Sequence, residues 1–245
     1  MKGNCAGSRK QPKDGAGRIC EFGRARGILR LLLGAGGIFR TVDPRSGKSW
    51  RMLTPYEAVD LLSVLRAPWW VAGGWALDLF LGKVTRAHQD LDVGIFRSDT
   101  ADVVASLPGW EFFEAKDGML SALALDAAPR AGVNSLWGKR ANTAQWELEL
   151  MLDQSNIESW VFRRDARITR PLSRAIRRNP EGIAYLAPEI QLLYKARATR
   201  PKDQADFDQV VPHLARESRT WLRESLLCVE PEHVWISVLE EHPTT

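Results

Sequence analysis

The sequence predicts an α+β protein: a mixed β-sheet flanked by helices, followed by a smaller, mostly helical domain. Three observations carry this. Gln145 to Leu152, QWELELML, alternates polar and apolar residues as a strand with one buried face does. Trp75 to Leu81 repeats apolar residues at helical spacing behind a Gly73-Gly74 pair and stops at Gly82, a good helix C-cap. From Pro188 onward the chain reads as successive helices, two of them opened by proline. The expected division is a basic, disordered leader over 1–50, a mixed α/β domain over 51–155 and a mostly helical domain over 156–245.

The chain has 245 residues, enough for a real core in one large or two small domains, and a formal charge of +4. That charge is unevenly placed. Residues 1–50 hold 11 Lys/Arg against Asp14, Glu21 and Asp43, so they carry +8 and the remainder carries −4. The body is mildly acidic, which weakens any inference of a nucleic-acid-binding fold from charge alone. Cys5, Cys20 and Cys228 form no CxxC pair and signal neither a disulfide framework nor a zinc site, in keeping with a cytoplasmic setting. No apolar run approaches the roughly eighteen residues of a membrane span.

Taken in order, Ile28 to Leu33 reads as a brief helix in an otherwise aperiodic, dispensable leader. Thr54-Pro55-Tyr56-Glu57 is a capping box with proline at the first helical position, opening a helix to about Arg66. Trp69 to Ala72 is a short buried strand entering the glycine pair. Asp90-Leu91-Asp92-Val93 alternates as a strand, with Leu91 and Val93 anchored in the core. Ser98 or Asp99 caps a helix to about Leu107, and Trp110 to Ala115 is a strand ending near the hairpin signal Asp117-Gly118. Leu120 to Leu125 and Ser135 to Lys139 are further strands. Trp160 to Pro171 carries Arg163, Arg164, Arg167 and Arg170. Helices are expected from Pro188, from Pro201 to about Leu214, over Arg219 to Cys228 and over Glu232 to Leu239.

The chemistry concentrates in Val71 to Phe96. Glycines let backbone N–H groups approach phosphate oxygens, aided by the positive end of the following helix. Side chains two apart on a strand share a face, so Asp90 and Asp92 can hold Mg²⁺, which takes carboxylates together with substrate phosphates. Glu149 on the later strand can complete the metal shell or accept the proton of an attacking hydroxyl, and Glu147 competes for that role. Together these ingredients describe metal-assisted phosphoryl or nucleotidyl transfer.

GGWALDLFLGKVTRAHQDLDVGIF resembles the signature of the DNA-polymerase-β-type nucleotidyltransferase superfamily, and within it the aminoglycoside (2''-type) and lincosamide nucleotidyltransferases. The resemblance extends through WELELML, WVFRRDARITRPL, GIAYLAPEIQLLYKA and KDQADF, and does not cover the leader. It implies that Gly73 and Gly74 cradle a nucleoside triphosphate, with ATP expected. It also implies that Asp90 and Asp92 bind Mg²⁺, two ions in all, and that Glu149 is the third acidic residue. Arg86 and Lys202 are the further nucleotide-binding candidates; a solvated helix start accounts for Lys202 equally well. Arg163, Arg164 and Arg167 meet triphosphate or pair with acids such as Asp165. His88 reads first as a loop residue, Trp70 and Trp75 as core, and Asp78 as either a helix-dipole or an active-site residue.

The function implied is transfer of AMP from ATP onto a hydroxyl of a small molecule, an aminoglycoside-type antibiotic among the acceptors. The acids of the helical half would favour such a cationic acceptor. Two alternatives stay open: a toxin-type enzyme modifying tRNA or protein, and a silent binding module of the same fold. Membrane partners are not expected, nucleic acid is the lesser expectation, and oligomeric state is not readable.

Overall fold

A computed structural model describes residues 29–32, 41–42, 50–124, 126–156 and 158–240 of the chain. Most of the leader, and with it the expectation of disorder there, lies outside the described residues. Within it Leu29–Leu32 (β1) and Thr41–Val42 (β2) are strands, so the helix expected at 28–33 is replaced over 29–32 by extended chain pairing with a neighbour. The remaining strands are β3 (Trp69–Val71), β4 (Asp92–Phe96), β5 (Trp110–Lys116), β6 (Met119–Ala122), β7 (Ser135–Arg140), β8 (Leu148–Ser155), β9 (Ser159–Val161), β10 (Thr169–Pro171), β11 (Ile176–Arg178) and β12 (Ala184–Leu186). The helices are α1 (Pro55–Leu62), α2 (Gly73–Leu81), α3 (Thr100–Ala105), α4 (Leu172–Ala175), α5 (Pro188–Ala196), α6 (Pro201–Val210), α7 (Arg216–Val229) and α8 (Trp235–Glu240).

One mixed sheet runs β11-β12-β3-β4-β8-β7-β5-β6-β1-β2, with β9 pairing β8 and β10 pairing β9. Parallel pairing of β4 with β8 sets Asp92 opposite Glu149 in register. On β8, Leu148, Leu150 and Leu152 are fully buried, as the alternation requires, and Glu149 and Met151 occupy the other face. The Asp117-Gly118 turn has φ of +51° and +74° and joins β5 to β6 as a tight hairpin. Thr54 and Glu57 close the capping box ahead of α1.

The apolar interior has two main parts. One packs β3, β4, β7 and β8 against α1, α2 and α3 through Val71, Leu91, Val93, Leu136 and Leu150. The other packs Trp70, Leu77 and Phe96 from the sheet side against Ile190, Phe207, Leu222 and Trp235 of the helical part. Consecutive residues Trp70 and Val71 thus enter opposite layers, as strand geometry requires. Pairing of β9 with β8 and of β12 with β3 carries the sheet past the division expected at residue 155. Strands β9 to β12 are too short to show a period of two.

Candidate active site

Helix α2 starts at Gly73 itself, so the glycine pair forms its first turn. Gly73 has φ of +65°, and an added Cβ would stand 2.1 Å from Asp92 Oδ2. Only glycine combines that backbone with so close an approach of the carboxylate. Its N–H donates to Gln191 Oε1 at 2.8 Å, so Gly73 is tied to α5 by the amide that was expected to face phosphate. A Cβ on Gly74 would meet Arg86 Nη2 at 2.4 Å and His88 at 2.6 Å, so this residue too is bare where side chains crowd the helix start.

Asp92 is the first residue of β4, and Asp90 lies in the lead-in just before the strand rather than on it. Leu91 and Val93 are buried on either side, as expected. Asp92 is set deep among protein atoms yet keeps an edge on a cleft of about 690 Å³. Burial, with the neighbouring charges of Glu149 and Asp90, pushes its carboxyl up to about 8, against partial relief from Lys195 and Lys202. Glu149 is likewise raised, by burial above all, although it accepts a 2.5 Å hydrogen bond from Ser135. Glu147 takes no part in this group: it is buried against Arg51 at 3.0 Å and Arg140 at 3.4 Å.

Asp90, Asp92 and Glu149 therefore act on one another electrostatically, with Gly73 against Asp92. They are not drawn into a ready-made ligand shell, since among the described residues no three His, Cys, Asp or Glu side chains are grouped that tightly. The donor chemistry nevertheless fits a hard divalent cation: the oxygens are carboxylate only, and the charge is negative and incompletely balanced. Asp90 and Asp92 line the cleft, whereas Glu149 stands beside Asp92 on the next strand and is not among the lining side chains.

Arg86 and Lys202 both line the cleft. Arg86 is held bidentately by Asp206 of α6, at 2.9 and 3.2 Å. Lys195, nearly buried, bridges Asp203 and Asp206 at 2.9 Å each, and Arg200 adds a second cation to Asp203. Burial alone would raise both aspartates, but hydrogen bonds from Arg200 and Lys195 to Asp203, and from Arg86 and Lys195 to Asp206, hold them below the ordinary carboxylate range. These helical acids are committed to cations already, which removes the basis for expecting them to draw a cationic acceptor. Arg167 pairs with Asp165 at 2.6 Å and does not line the cleft, unlike Arg163 and Arg164.

His88 is more than a loop residue. Its buried side chain places Nε2 2.5 Å from Asp78 Oδ2, and its ring packs on Trp75 at 4.4 Å. Asp78 in turn accepts from the N–H and hydroxyl of Thr85 at 3.1 and 2.6 Å, fixing the loop that carries Arg86 and His88. Trp70 is fully buried core, as read from the sequence. Gln191, Tyr194 and Lys195 were not singled out by sequence reasoning. Gln191 and Lys195 are one helical turn apart in PEIQLLYKA, and polar residues at that spacing within an apolar helix were the available signal.

A glycine at a helix start, an aspartate pair entering a strand and a third acid on the neighbouring parallel strand are thus brought together. Residues 56–126 match the family model described as aminoglycoside-2''-adenylyltransferase; the GGWALDLFLGKVTRAHQDLDVGIF stretch falls wholly within them, and the resembling stretches beyond residue 145 do not. Among curated relatives, a 2''-aminoglycoside nucleotidyltransferase of Escherichia coli is 38% identical over 68 residues, covering 25% of this chain and 38% of that protein. A lincosamide resistance protein of Staphylococcus haemolyticus is 33% identical over 52 residues, covering 21% and 32%. The chain thus spans less than two fifths of the length of the curated relatives it matches. Among solved structures, the antibiotic-resistance factor ANT(2'')-Ia aligns with a TM-score of 0.45 and 19% identity over 77% of this chain and 92% of that one. The lincomycin-bound lincosamide antibiotic adenylyltransferase LnuA aligns with a TM-score of 0.44 and 18% identity over 63% and 92%.

Proposed function

We propose that this protein is a nucleotidyltransferase that moves a nucleoside monophosphate, AMP from ATP, onto a hydroxyl of a small-molecule antibiotic of the aminoglycoside or lincosamide type. The observation that carries the reading is the meeting of Gly73, Asp92 and Glu149, which joins a helix start to a carboxylate group short of positive charge. The family-model match over 56–126 takes in Gly73, Asp90 and Asp92 but not Glu149, and the similarity to aminoglycoside and lincosamide relatives favours such an acceptor.

In this reading the start of α2 at Gly74, with Arg86 beside it, receives the phosphates. Lys202, at the first turn of α6, adds a point charge from the opposite wall. Asp90 and Asp92, with Glu149 behind them, would hold Mg²⁺. When bound, that ion supplies charge neutralisation for an in-line displacement at the α-phosphorus. Glu149, its carboxyl raised by burial, takes the proton of the attacking hydroxyl; pyrophosphate departs from the other side. The part of the chain beyond residue 155 walls the cleft through Gln191, Tyr194 and Lys195, and we assign the acceptor to that side.

Incubating the full chain with ATP, Mg²⁺ and a panel of aminoglycosides and lincosamides, followed by mass spectrometry, is expected to reveal one acceptor heavier by an adenylyl group. Absence of any adduct across the panel would remove the acceptor assignment. Labelled nucleotide appearing instead on RNA or protein would replace it.

A further inference from the structure

Seven Lys or Arg side chains line the cleft against three aspartates, and apart from Lys202 they fall into two groups. Arg86, Lys195 and Arg200 are locked to Asp203 and Asp206, as described. Arg163, Arg164 and Arg197 have no carboxylate within ion-pair distance among the described residues. Elsewhere the chain pairs even exposed arginines, such as Arg174 with Glu217 and Arg223 with Glu240. Other arginines without an ion pair, such as Arg97 and Arg178, stand apart from one another and donate to backbone carbonyls, whereas these three line one cleft together.

Their placement is built rather than loose. The Arg163 guanidinium lies 4.6 Å from the Tyr194 ring centre and that of Arg164 5.4 Å, while Arg164 Nη1 also donates to the Tyr194 carbonyl at 3.1 Å. Tyr194 is itself pinned by its hydroxyl to buried Asp153 at 3.0 Å. Partial burial, then the charges of Arg163 and Arg197, hold the Arg164 guanidinium below its ordinary range. Such crowding costs free energy until an anion relieves it. Arg164 and Arg197 also line an adjoining cavity of about 360 Å³, floored by Phe162, Leu193 and Val229. Glu230 lines that cavity too, but not within ion-pair reach of either arginine. The charge of Arg163 acts on Glu149 and Asp153, whereas Lys195 and Lys202 act on Asp92.

We propose that Arg163, Arg164 and Arg197 form a subsite for a phosphate-type oxyanion, at the junction of the cleft and the adjoining cavity. The proposal rests on the phosphoryl-transfer reading for its biological meaning, but not for its test. The anion has two possible sources, the polyphosphate tail of the nucleotide or an anionic group borne by the acceptor. Guanidinium forks suit either, since they meet phosphate oxygens two at a time.

The test is calorimetric titration of inorganic pyrophosphate into the full chain, without metal or turnover. Each of Arg164→Gln and Arg197→Gln is expected to weaken binding about tenfold, the loss of one charge-assisted hydrogen-bonding group. Arg223→Gln, which removes an equal charge far from the cleft, is expected to bind as the unaltered protein does. Equal binding by all variants, an equal loss in Arg223→Gln, or no pyrophosphate binding by the unaltered protein would overturn the subsite. Thermal melts of each variant separate lost binding from lost folding. Titrations of ATP and AMP then locate the source: a loss confined to ATP assigns the anion to the nucleotide tail, and no loss for either assigns it to the acceptor. A failed antibiotic panel with intact pyrophosphate binding would sink the acceptor assignment and leave this subsite standing.

Discussion

Gly73 and Asp92 meet at a distance no other residue type would permit, and that contact ties the chemistry of the cleft to the backbone of α2. Asp153, two strand turns along β8 from Glu149 and on the same face, shows a simpler form of the same physics. Burial pushes its carboxyl up to about 6, against the opposing effects of Arg163 and Tyr194. An unfolded aspartate titrates near 3.9, so between about pH 4 and 6 the folded chain binds more protons than the unfolded one. Stability from this group is therefore lost as pH rises through that window, by about 3 kcal/mol in all. Asp153→Asn keeps an acceptor for the Tyr194 hydroxyl without the charge. Urea melts are expected to show the variant more stable than the unaltered protein by about that amount at pH 7.5, and nearly equal at pH 4. A gap independent of pH would mean that Asp153 is not held this way.

At the scale of elements, what was legible and what was not divides by the length of the periodic signal. The alternation in QWELELML and the capping box at Thr54 each fix an element locally, and both are present. Strands β9 to β12 have three residues each, too few to display a period, and only their neighbours hold them extended. The Asp92–Glu149 register follows from parallel pairing of strands over fifty residues apart, which spacing does not encode. The partner of Arg86 was hidden for the same reason, lying on α6 at Asp206. One tertiary knot joins several of these elements. Glu189 of α5, fully buried, accepts from Arg170 of β10 at 2.6 Å, from Arg177 of β11 at 3.1 Å and from Ser218 of α7 at 2.9 Å. Replacing it by alanine strands a buried guanidinium, and Glu189→Ala is expected to lose about 3–5 kcal/mol in denaturant melts. A loss below about 1 kcal/mol would show that the knot does not hold these elements together.

For the molecule as a whole, the sheet and the helices share one interior layer, in which Trp70 and Leu77 touch the same cluster as Phe207 and Trp235. The cleft lies where this junction opens, with α2 and β4 on one wall and α5 and α6 on the other. Among the described residues no helix is long and apolar enough to cross a membrane. A nucleotide bridging the two walls needs both the carboxylates of one and the cations of the other, so its binding reports on the whole arrangement rather than on one residue. The most direct measurement is calorimetric titration of ATP into the full chain with and without Mg²⁺, repeated for Asp92→Asn and for Glu147→Gln. Mg²⁺-dependent binding is predicted for the unaltered protein and for Glu147→Gln, and its loss for Asp92→Asn. Binding that ignores Mg²⁺, or that survives in Asp92→Asn unchanged, would contradict the placing of a nucleotide and its metal between Gly73 and the carboxylate pair.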